Sequence, residues 1–223
     1  MKKKAVIILS GGLDSATCMG VAQQVGYELY PLTFDYGQKH QHEIVHAKRI
    51  AQHYQVAEHR VVKLDFLNQL GGSALTDPSI EVPDYAGDDE VPVTYVPARN
   101  LIFLSLATAY AETVGAEKIF IGVSSVDYSG YPDCRPEFIA SMSETIRLAT
   151  KLGAEQGMLQ IEAPLSHLSK EDTIRLGMEL AVPYELTTSC YRGGDKACGT
   201  CDSCELRLKG FAEAGLVDPI PYV

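Results

Sequence analysis

Ala5-Val6-Ile7-Ile8-Leu9 is an unbroken apolar run, rich in β-branched residues, and predicts a strand buried on both faces. The pattern changes at once to the polar, glycine-containing stretch Ser10-Gly11-Gly12-Leu13-Asp14-Ser15. Ala16, Met19, Gly20 and Gln23 then recur at helical spacing, so a helix starts near Asp14. Leu29 to Phe34 is a second strand, ending at Asp35-Tyr36-Gly37-Gln38, and Ile44, Ala47, Ile50, Ala51 and Tyr54 mark one face of a second helix. Arg60 to Leu64 reads as a third strand. Strand and helix alternating in this way predict an α/β fold: a doubly wound, mainly parallel sheet with right-handed crossovers and helices on both faces. Ligands of such sheets bind beyond the carboxyl ends of the strands, and both the Ser10 loop and the Asp35–Gln38 turn fall on that edge.

Residues 70–94 break the alternation with Gly71, Gly72, Pro78, Pro83, Gly87, Pro92 and the acidic run Asp88-Asp89-Glu90. A segment this long without periodicity predicts either a lid or a solvated excursion with no role. Val96-Pro97-Ala98-Arg99-Asn100 opens an apolar helix through Leu101, Leu104, Ala107, Thr108 and Ala111, and Lys118 to Val123 is a fourth strand. Residues 124–136 are dense in polar, aromatic and turn residues; a helix from Pro136 to about Lys151 and a strand around Leu159-Gln160-Ile161 follow. Ser169 caps a further helix with Lys170 in its first turn, where a cation opposes the helix dipole and an anion close by would offset the cost. Near Pro183 the alternation gives way to a cysteine cluster, which predicts an α/β domain over 1–183 and a small appended segment over 184–223.

A strand, a glycine turn and a helix start bring free backbone N–H groups to one point at the positive end of a helix dipole, a ready site for phosphate. In this reading Gly11 and Gly12 allow the main chain to approach a ligand. Ser10 and Ser15 add hydroxyls, and Asp14 caps the helix or faces a phosphate-bound metal ion. No Lys-Ser/Thr follows the glycines and the spacing is not Gly-x-Gly-x-x-Gly, which excludes the two commoner phosphate loops. The blander alternative is a turn using Gly and Ser for geometry alone. The six residues resemble the SGGxDS loop of the PP-loop ATP pyrophosphatases, which hold the pyrophosphate of ATP while its α-phosphorus is attacked.

The chain has 223 residues, 19 Lys and Arg against 29 Asp and Glu, and a net charge of −10. A surface so acidic repels nucleic acid and points to small-molecule substrates. The apolar run after Lys2-Lys3-Lys4 is too short for a signal peptide, and no stretch approaches a membrane span. Four of the six cysteines crowd into Cys190-x7-Cys198-x2-Cys201-x2-Cys204, which suits a metal site in a reducing compartment, and the cytoplasm is expected. Four thiolates at this spacing close a tetrahedron around Zn²⁺, a structural site with no open position. An iron–sulfur cluster and free or redox-active thiols are the rivals; the Leu206-Arg207-Leu208 that follows departs from the ferredoxin pattern. Cys18 is expected in the core. Cys134 packs at a substrate loop or, if Arg135 lowers its pKa, acts as a nucleophile. His42 and His46 share a helix face at a metal-binding spacing, but no third ligand is placed beside them.

The Ser10–Ser15 loop, Phe34-Asp35-Tyr36-Gly37-Gln38-Lys39-His40, Val96–Asn100, Asp127–Arg135 and the cysteine spacing together resemble the 7-cyano-7-deazaguanine synthase family over essentially the whole chain. The resemblance implies a Rossmann-like, adenine nucleotide alpha hydrolase-like sheet with a zinc-binding C-terminal segment. It implies a ligase of queuosine biosynthesis that converts 7-carboxy-7-deazaguanine and ammonia to the nitrile with ATP and Mg²⁺, through adenylated intermediates, and forms a homodimer. It further implies that Ser10, Gly11, Gly12, Leu13, Asp14 and Ser15 bind ATP with Leu32 and Phe34 beside adenine. Asp14, Lys170 and Arg99 serve catalysis in this picture; Gln38, His40, Tyr131, Asp133 and Arg135 meet the deazapurine; and Cys190, Cys198, Cys201 and Cys204 hold one structural Zn²⁺. Ala98 departs from a Gly of some members, and Ala is expected to fit at a helix start. The rival readings are another PP-loop enzyme, such as an amidating synthetase or a tRNA thiolase, and a non-catalytic zinc and nucleotide-binding module.

Overall fold

The computed structural model describes residues 2–85, 91–126, 131–157 and 159–223. The Asp88-Asp89-Glu90 run and Asp127–Gly130 lie outside the described residues. Five strands, β1 (Lys4–Ile8), β2 (Glu28–Asp35), β3 (Arg60–Lys63), β4 (Lys118–Phe120) and β5 (Gln160–Glu162), form one sheet in the order β3-β2-β1-β4-β5. Every pairing is parallel, with Ile7 opposite Pro31 on one side and Phe120 on the other. The order of the strands reverses between β1 and β4, and the Ser10 loop leaves the sheet at that switch point.

The first apolar run is continuous because both of its faces are covered. Val6 and Ile8 point into a cluster with Phe34, Phe103, Leu104, Ala107 and Ile146, drawn from α4 (Arg99–Val114) and α5 (Pro136–Ala149). Ala5, Ile7 and Leu9 point to the opposite cluster, where Met19, Ile50, Ile174 and Phe211 come from α1 (Leu13–Gln24), α2 (His42–His53), α7 (Lys170–Glu179) and α8 (Asp202–Glu213). Alternate residues of one strand thus feed two cores. That second cluster also takes Tyr184 and Ala214, so it draws on residues either side of Pro183. Among the described residues no helix is long and apolar enough to cross a membrane.

Several details differ from the periodicity. The expected fourth strand stops at Phe120, although Ile121 still donates to the Glu162 carbonyl at 3.0 Å. The helix from Pro136 ends at Ala149, and α6 (Lys151–Gln156) follows, because Thr150 is extended and its hydroxyl caps the new helix by accepting from Gly153 N–H at 3.0 Å. Residues 73–76 are packed down rather than solvated, while most of 78–85 is exposed but tied to the rest of the chain. Ser73 to Thr76 are buried, Ala74 N–H bonds the Val93 carbonyl, Lys39 N–H bonds the Leu75 carbonyl, and Tyr85 N–H bonds the Thr200 carbonyl. A short α3 (Phe66–Leu70) precedes them.

Ala98 does not sit comfortably. It precedes α4 with φ +56° and ψ 19°, the left-handed region that costs a non-glycine residue about 1–2 kcal/mol. Ala98→Gly is expected to leave stability unchanged or raise it by up to about 1 kcal/mol, since relief of strain and loss of chain stiffness oppose each other. Ala98→Val adds a β-branch at positive φ and is expected to lose more than about 1 kcal/mol. Urea denaturation of the two variants checks the pair; equal stability would remove the strain.

Candidate active site

The glycine turn is held by its own side chains. Ser10 Oγ accepts from Gly12 N–H at 3.2 Å and lies 3.1 Å from Ser15 Oγ, which donates to the Gly12 carbonyl at 3.0 Å and accepts from Ser10 N–H at 3.2 Å. Gly12 is the N-cap of α1 and no side chain caps it, so the first-turn N–H groups face the cleft without an internal partner. The glycines serve packing. Gly11 has φ +95°, and a Cβ there would fall on the Glu43 carbonyl oxygen and within 2.9 Å of Ala47 N, both in α2. A Cβ on Gly122, just past β4, would lie 2.9 Å from the Asp14 carbonyl carbon. Thr188 N–H donates to the Gly11 carbonyl at 3.0 Å and closes the third side.

Asp14 lies inside α1 and does not cap it. Its carboxylate receives Lys170 Nζ at 2.7 and 3.0 Å, and this is the anion that offsets a lysine in the first turn of α7. Lys170 is buried while Asp14 is partly open to the cleft. Gly210 admits the lysine stem, since a Cβ there would lie 2.5 Å from Lys170 Cγ. Leu13 and Ser15 are buried in the turn and line the cleft.

The opposite wall starts from α4. Arg99 enters the cleft and donates to the Tyr36 hydroxyl at 3.3 Å, with no carboxylate partner among the described residues. Burial pushes the Tyr36 phenol up to about 12, Arg99 acting against it, so Tyr36 stays protonated. Phe34 and Phe103 stack at 4.1 Å and 20° to form a flat apolar wall. Leu32 lies deeper in the core and does not reach the cleft.

Tyr131 lines the same wall, its hydroxyl 2.9 Å from Thr94 Oγ1, and burial raises its pKa. Asp133 is turned away from the cleft. Its Oδ2 accepts from Asn100 N–H at 2.9 Å and its carbonyl from Asn100 Nδ2 at 3.1 Å, so it caps α4 from a distance and fixes where Arg99 starts. Arg135 is exposed and also outside the cleft. Cys134 lines it, but burial, with Asp133 adding to the effect, pushes its thiol up to about 12, which leaves no thiolate to act as a nucleophile.

Gln38 is buried beneath the cleft and does not line it. Its Oε1 accepts from Tyr36 N–H at 2.8 Å, and its Nε2 donates to the Phe34 carbonyl at 3.2 Å and to Glu43 Oε1 at 2.7 Å. His40 and Glu43 both line the cleft, with His40 Nε2 3.1 Å from Glu43 Oε2. Glu43, Phe103, Gly122, Thr188, Ser189 and Tyr191 are site residues that the motifs did not reveal. Glu43 had a signal in its place one turn beyond His40; Phe103 and Gly122 come from the middle of the chain, and Thr188, Ser189 and Tyr191 from beside the cysteine cluster. His46 and His42 do not converge, since His46 Nδ1 meets the Leu186 carbonyl at 2.7 Å and His42 meets Asp195 at 4.0 Å.

The sulfurs of Cys190, Cys198, Cys201 and Cys204 lie within 4.8 Å of one another and could hold a metal ion. A tetrahedron with bonds of about 2.3 Å needs sulfurs about 3.8 Å apart, close to the 3.9 Å between Cys198 and Cys204. Hydrogen bonds from the Cys201 and Cys204 thiols and from Cys198 N–H hold the Cys190 thiol well below its ordinary range. Cys190 and its neighbours Thr188, Ser189 and Tyr191 also line the cleft, so the cysteine loop is one of its walls.

With this geometry described, comparison with known proteins is specific. Residues 4–215 match the family model for queuosine biosynthesis protein QueC. The chain is 63% identical to the 7-cyano-7-deazaguanine synthase of Desulfitobacterium hafniense over 221 residues, covering 99% of this chain and 94% of that protein. It is 61% identical to the synthase of Oceanobacillus iheyensis, covering 99% of both, and 58% identical to that of Coxiella burnetii, covering 99% and 98%. Among solved structures, NMN synthetase from Francisella tularensis superposes with a TM-score of 0.51 at 14% identity, over 97% of this chain and 88% of that one. A 4-thiouridine synthetase with RNA and bound ATP gives 0.52 at 18%, over 96% and 50%. These two likenesses concern the fold, whereas the family model and the sequence relatives span the sheet, the glycine turn and the four cysteines alike: the chain belongs to the QueC family, the family of the 7-cyano-7-deazaguanine synthases.

Proposed function

We propose that this chain is an ATP-dependent carbon–nitrogen ligase that converts 7-carboxy-7-deazaguanine and ammonia to 7-cyano-7-deazaguanine in queuosine biosynthesis, through adenylated intermediates. Family membership supports the reaction class. The single structural observation that carries the reading is the uncapped start of α1, opening into a cleft whose far wall holds Arg99 without a carboxylate partner among the described residues. A phosphate chain answers the first feature and a substrate carboxylate or the α-phosphate the second.

A carboxylate is a poor electrophile. Its oxygen attacks the α-phosphorus of ATP, pyrophosphate leaves, and the acyl carbon now carries AMP as a leaving group. Ammonia displaces AMP to give the amide. The amide oxygen attacks the α-phosphorus of a second ATP and pyrophosphate leaves; loss of both N–H protons, with the C–O bond breaking to release AMP, leaves the nitrile. Both activations are an oxygen attacking the same phosphorus, so one cradle serves both.

Backbone N–H groups of the Gly11–Asp14 turn, with Ser10 and Ser15, hold the departing pyrophosphate, while Lys170 supplies charge beside it. Mg²⁺ arriving with ATP would lower the phosphate charge, with Asp14 the acidic side chain nearest the turn. Phe34 and Phe103 suit the adenine or deazapurine ring, with Leu32 as their support. Tyr131 contacts the deazapurine directly, and Gln38, Asp133 and Arg135 take part by shaping or approaching its pocket. Residues 184–223 form a segment packed on the 1–183 unit, in which Cys190, Cys198, Cys201 and Cys204 would hold one structural Zn²⁺. A cytoplasmic homodimer without nucleic acid in its substrate set completes the proposal.

Incubation with ATP, ammonium and 7-carboxy-7-deazaguanine is expected to release two AMP and two pyrophosphate per nitrile formed. Absence of pyrophosphate under these conditions, with activity instead on tRNA and sulfide, would sink it.

A further inference from the structure

We infer that His40 and Glu43 form the proton-accepting pair that turns ammonium into a nucleophile, an inference that rests on the ligase reading above. An ionised carboxylate only accepts hydrogen bonds, so the His40 nitrogen facing Glu43 Oε2 at 3.1 Å, Nε2, carries the proton. In the neutral ring Nδ1 then holds the lone pair. Nδ1 is buried and has no hydrogen-bond partner among the described residues, although His40 itself lines the cleft. A buried acceptor without a partner is rare in folded chains, and at a cleft wall it marks the place of a small polar ligand. Ammonium is the co-substrate that brings donors and needs an acceptor.

The pair is held from behind. Gln38 donates to Glu43 Oε1 at 2.7 Å and is itself fixed by Tyr36 N–H and the Phe34 carbonyl. One carboxylate oxygen is thereby committed to Gln38 and the other to the imidazole, which is how a basic ring nitrogen is oriented in catalytic dyads. The Tyr191 ring, 5.9 Å from the imidazole, adds an aromatic face beside the ammonium position.

Ammonium gives one proton to Nδ1 and keeps the bonding pair on nitrogen. That pair forms the C–N bond to the acyl carbon, and the C–O bond to AMP breaks with its electrons leaving on AMP. A second N–H proton departs to the same ring nitrogen, once the first has passed to solvent, and the neutral amide remains. His40 is the catalytic residue here; Glu43 and Gln38 are positioning residues.

The test separates nitrogen chemistry from adenylation. In His40→Gln, amide formation from ammonium is expected to fall about 10²–10⁴-fold, the range for loss of a general base. Hydroxylamine, which is neutral near pH 7 and needs no base to expose its lone pair, should still form the hydroxamate within about threefold of the unmodified enzyme. Carboxylate-dependent exchange of pyrophosphate into ATP precedes the nitrogen step and reports that the variant is folded. Glu43→Gln, which retains an acceptor for Nε2 without the charge, should show the same split with a smaller ammonium defect. Equal losses with ammonium and hydroxylamine, or no loss with either, would overturn the assignment. If the unmodified enzyme shows no carboxylate-dependent exchange at all, the ligase reading fails and takes this inference with it.

Discussion

Arg207→Met should destabilise the fold by about 3–5 kcal/mol, a large part of the total stability of most domains. Arg207 and Asp218 are 1% and 3% exposed and form a two-pronged pair, Nε to Oδ2 at 2.7 Å and Nη2 to Oδ1 at 2.9 Å. The remaining donors reach Thr187 Oγ1 at 2.8 Å, Ser189 Oγ at 3.3 Å and the Tyr184 carbonyl at 3.3 Å, and the guanidinium lies over the Phe211 ring. Tyr222 donates to the same Asp218 carboxylate at 2.6 Å. Truncation at Arg207 strands a buried carboxylate and releases the 187–189 wall of the cleft. Lysine cannot reproduce the fork, so Arg207→Lys should recover little. The double change Arg207→Met with Asp218→Leu, which removes both charges, should recover more. Chemical denaturation monitored by circular dichroism decides, and a single variant within about 1 kcal/mol of the unmodified protein would show the pair to be dispensable.

Asp14→Ala and Lys170→Met should each reduce substrate-dependent pyrophosphate release about 10²–10³-fold, the loss usual when one preorganised charge is taken from a transition state. In the proposed reaction the Lys170 ammonium and the Asp14 carboxylate act where the phosphates bind, so the defect should appear in kcat for both proposed adenylations and should not be relieved by hydroxylamine. Any metal held by the four cysteines should stay unchanged, because their sulfurs lie in a different cluster from the Asp14–Lys170 pair. Full turnover in either variant would remove the pair from catalysis; loss of metal content together with activity would make its role structural.

The parallel sheet and the glycine turn were legible in the sequence because each has a local signal. The run Ala5 to Leu9 is apolar throughout, and a strand covered on both faces produces that pattern directly. The cysteine spacing was equally plain. The helix α8 was not, because its inward face carries Cys204, Arg207, Gly210 and Phe211, a set in which only one residue is large and apolar. A buried arginine looks like a surface residue until Asp218 is seen opposite it. Asp133 stands within a motif yet works as a cap for another helix, and Gln38 supports Glu43 from below, so the motif marked the region without assigning the contact. Ala98 shows the reverse error, for its left-handed backbone is invisible in a residue that favours ordinary helix. Thr188, Ser189 and Tyr191 lacked any signal, since only the packing of α8 brings their loop to the sheet edge.

That loop has a consequence for biosynthesis on the ribosome. The glycine turn is made before the residues that fix its geometry, Gly122 behind it, Lys170 beside it and Thr188 across it. A nascent chain therefore carries the signature of a nucleotide enzyme long before it can grip a nucleotide. Competence waits until translation has passed Thr188, and copies that stop short of it should leave ATP untouched.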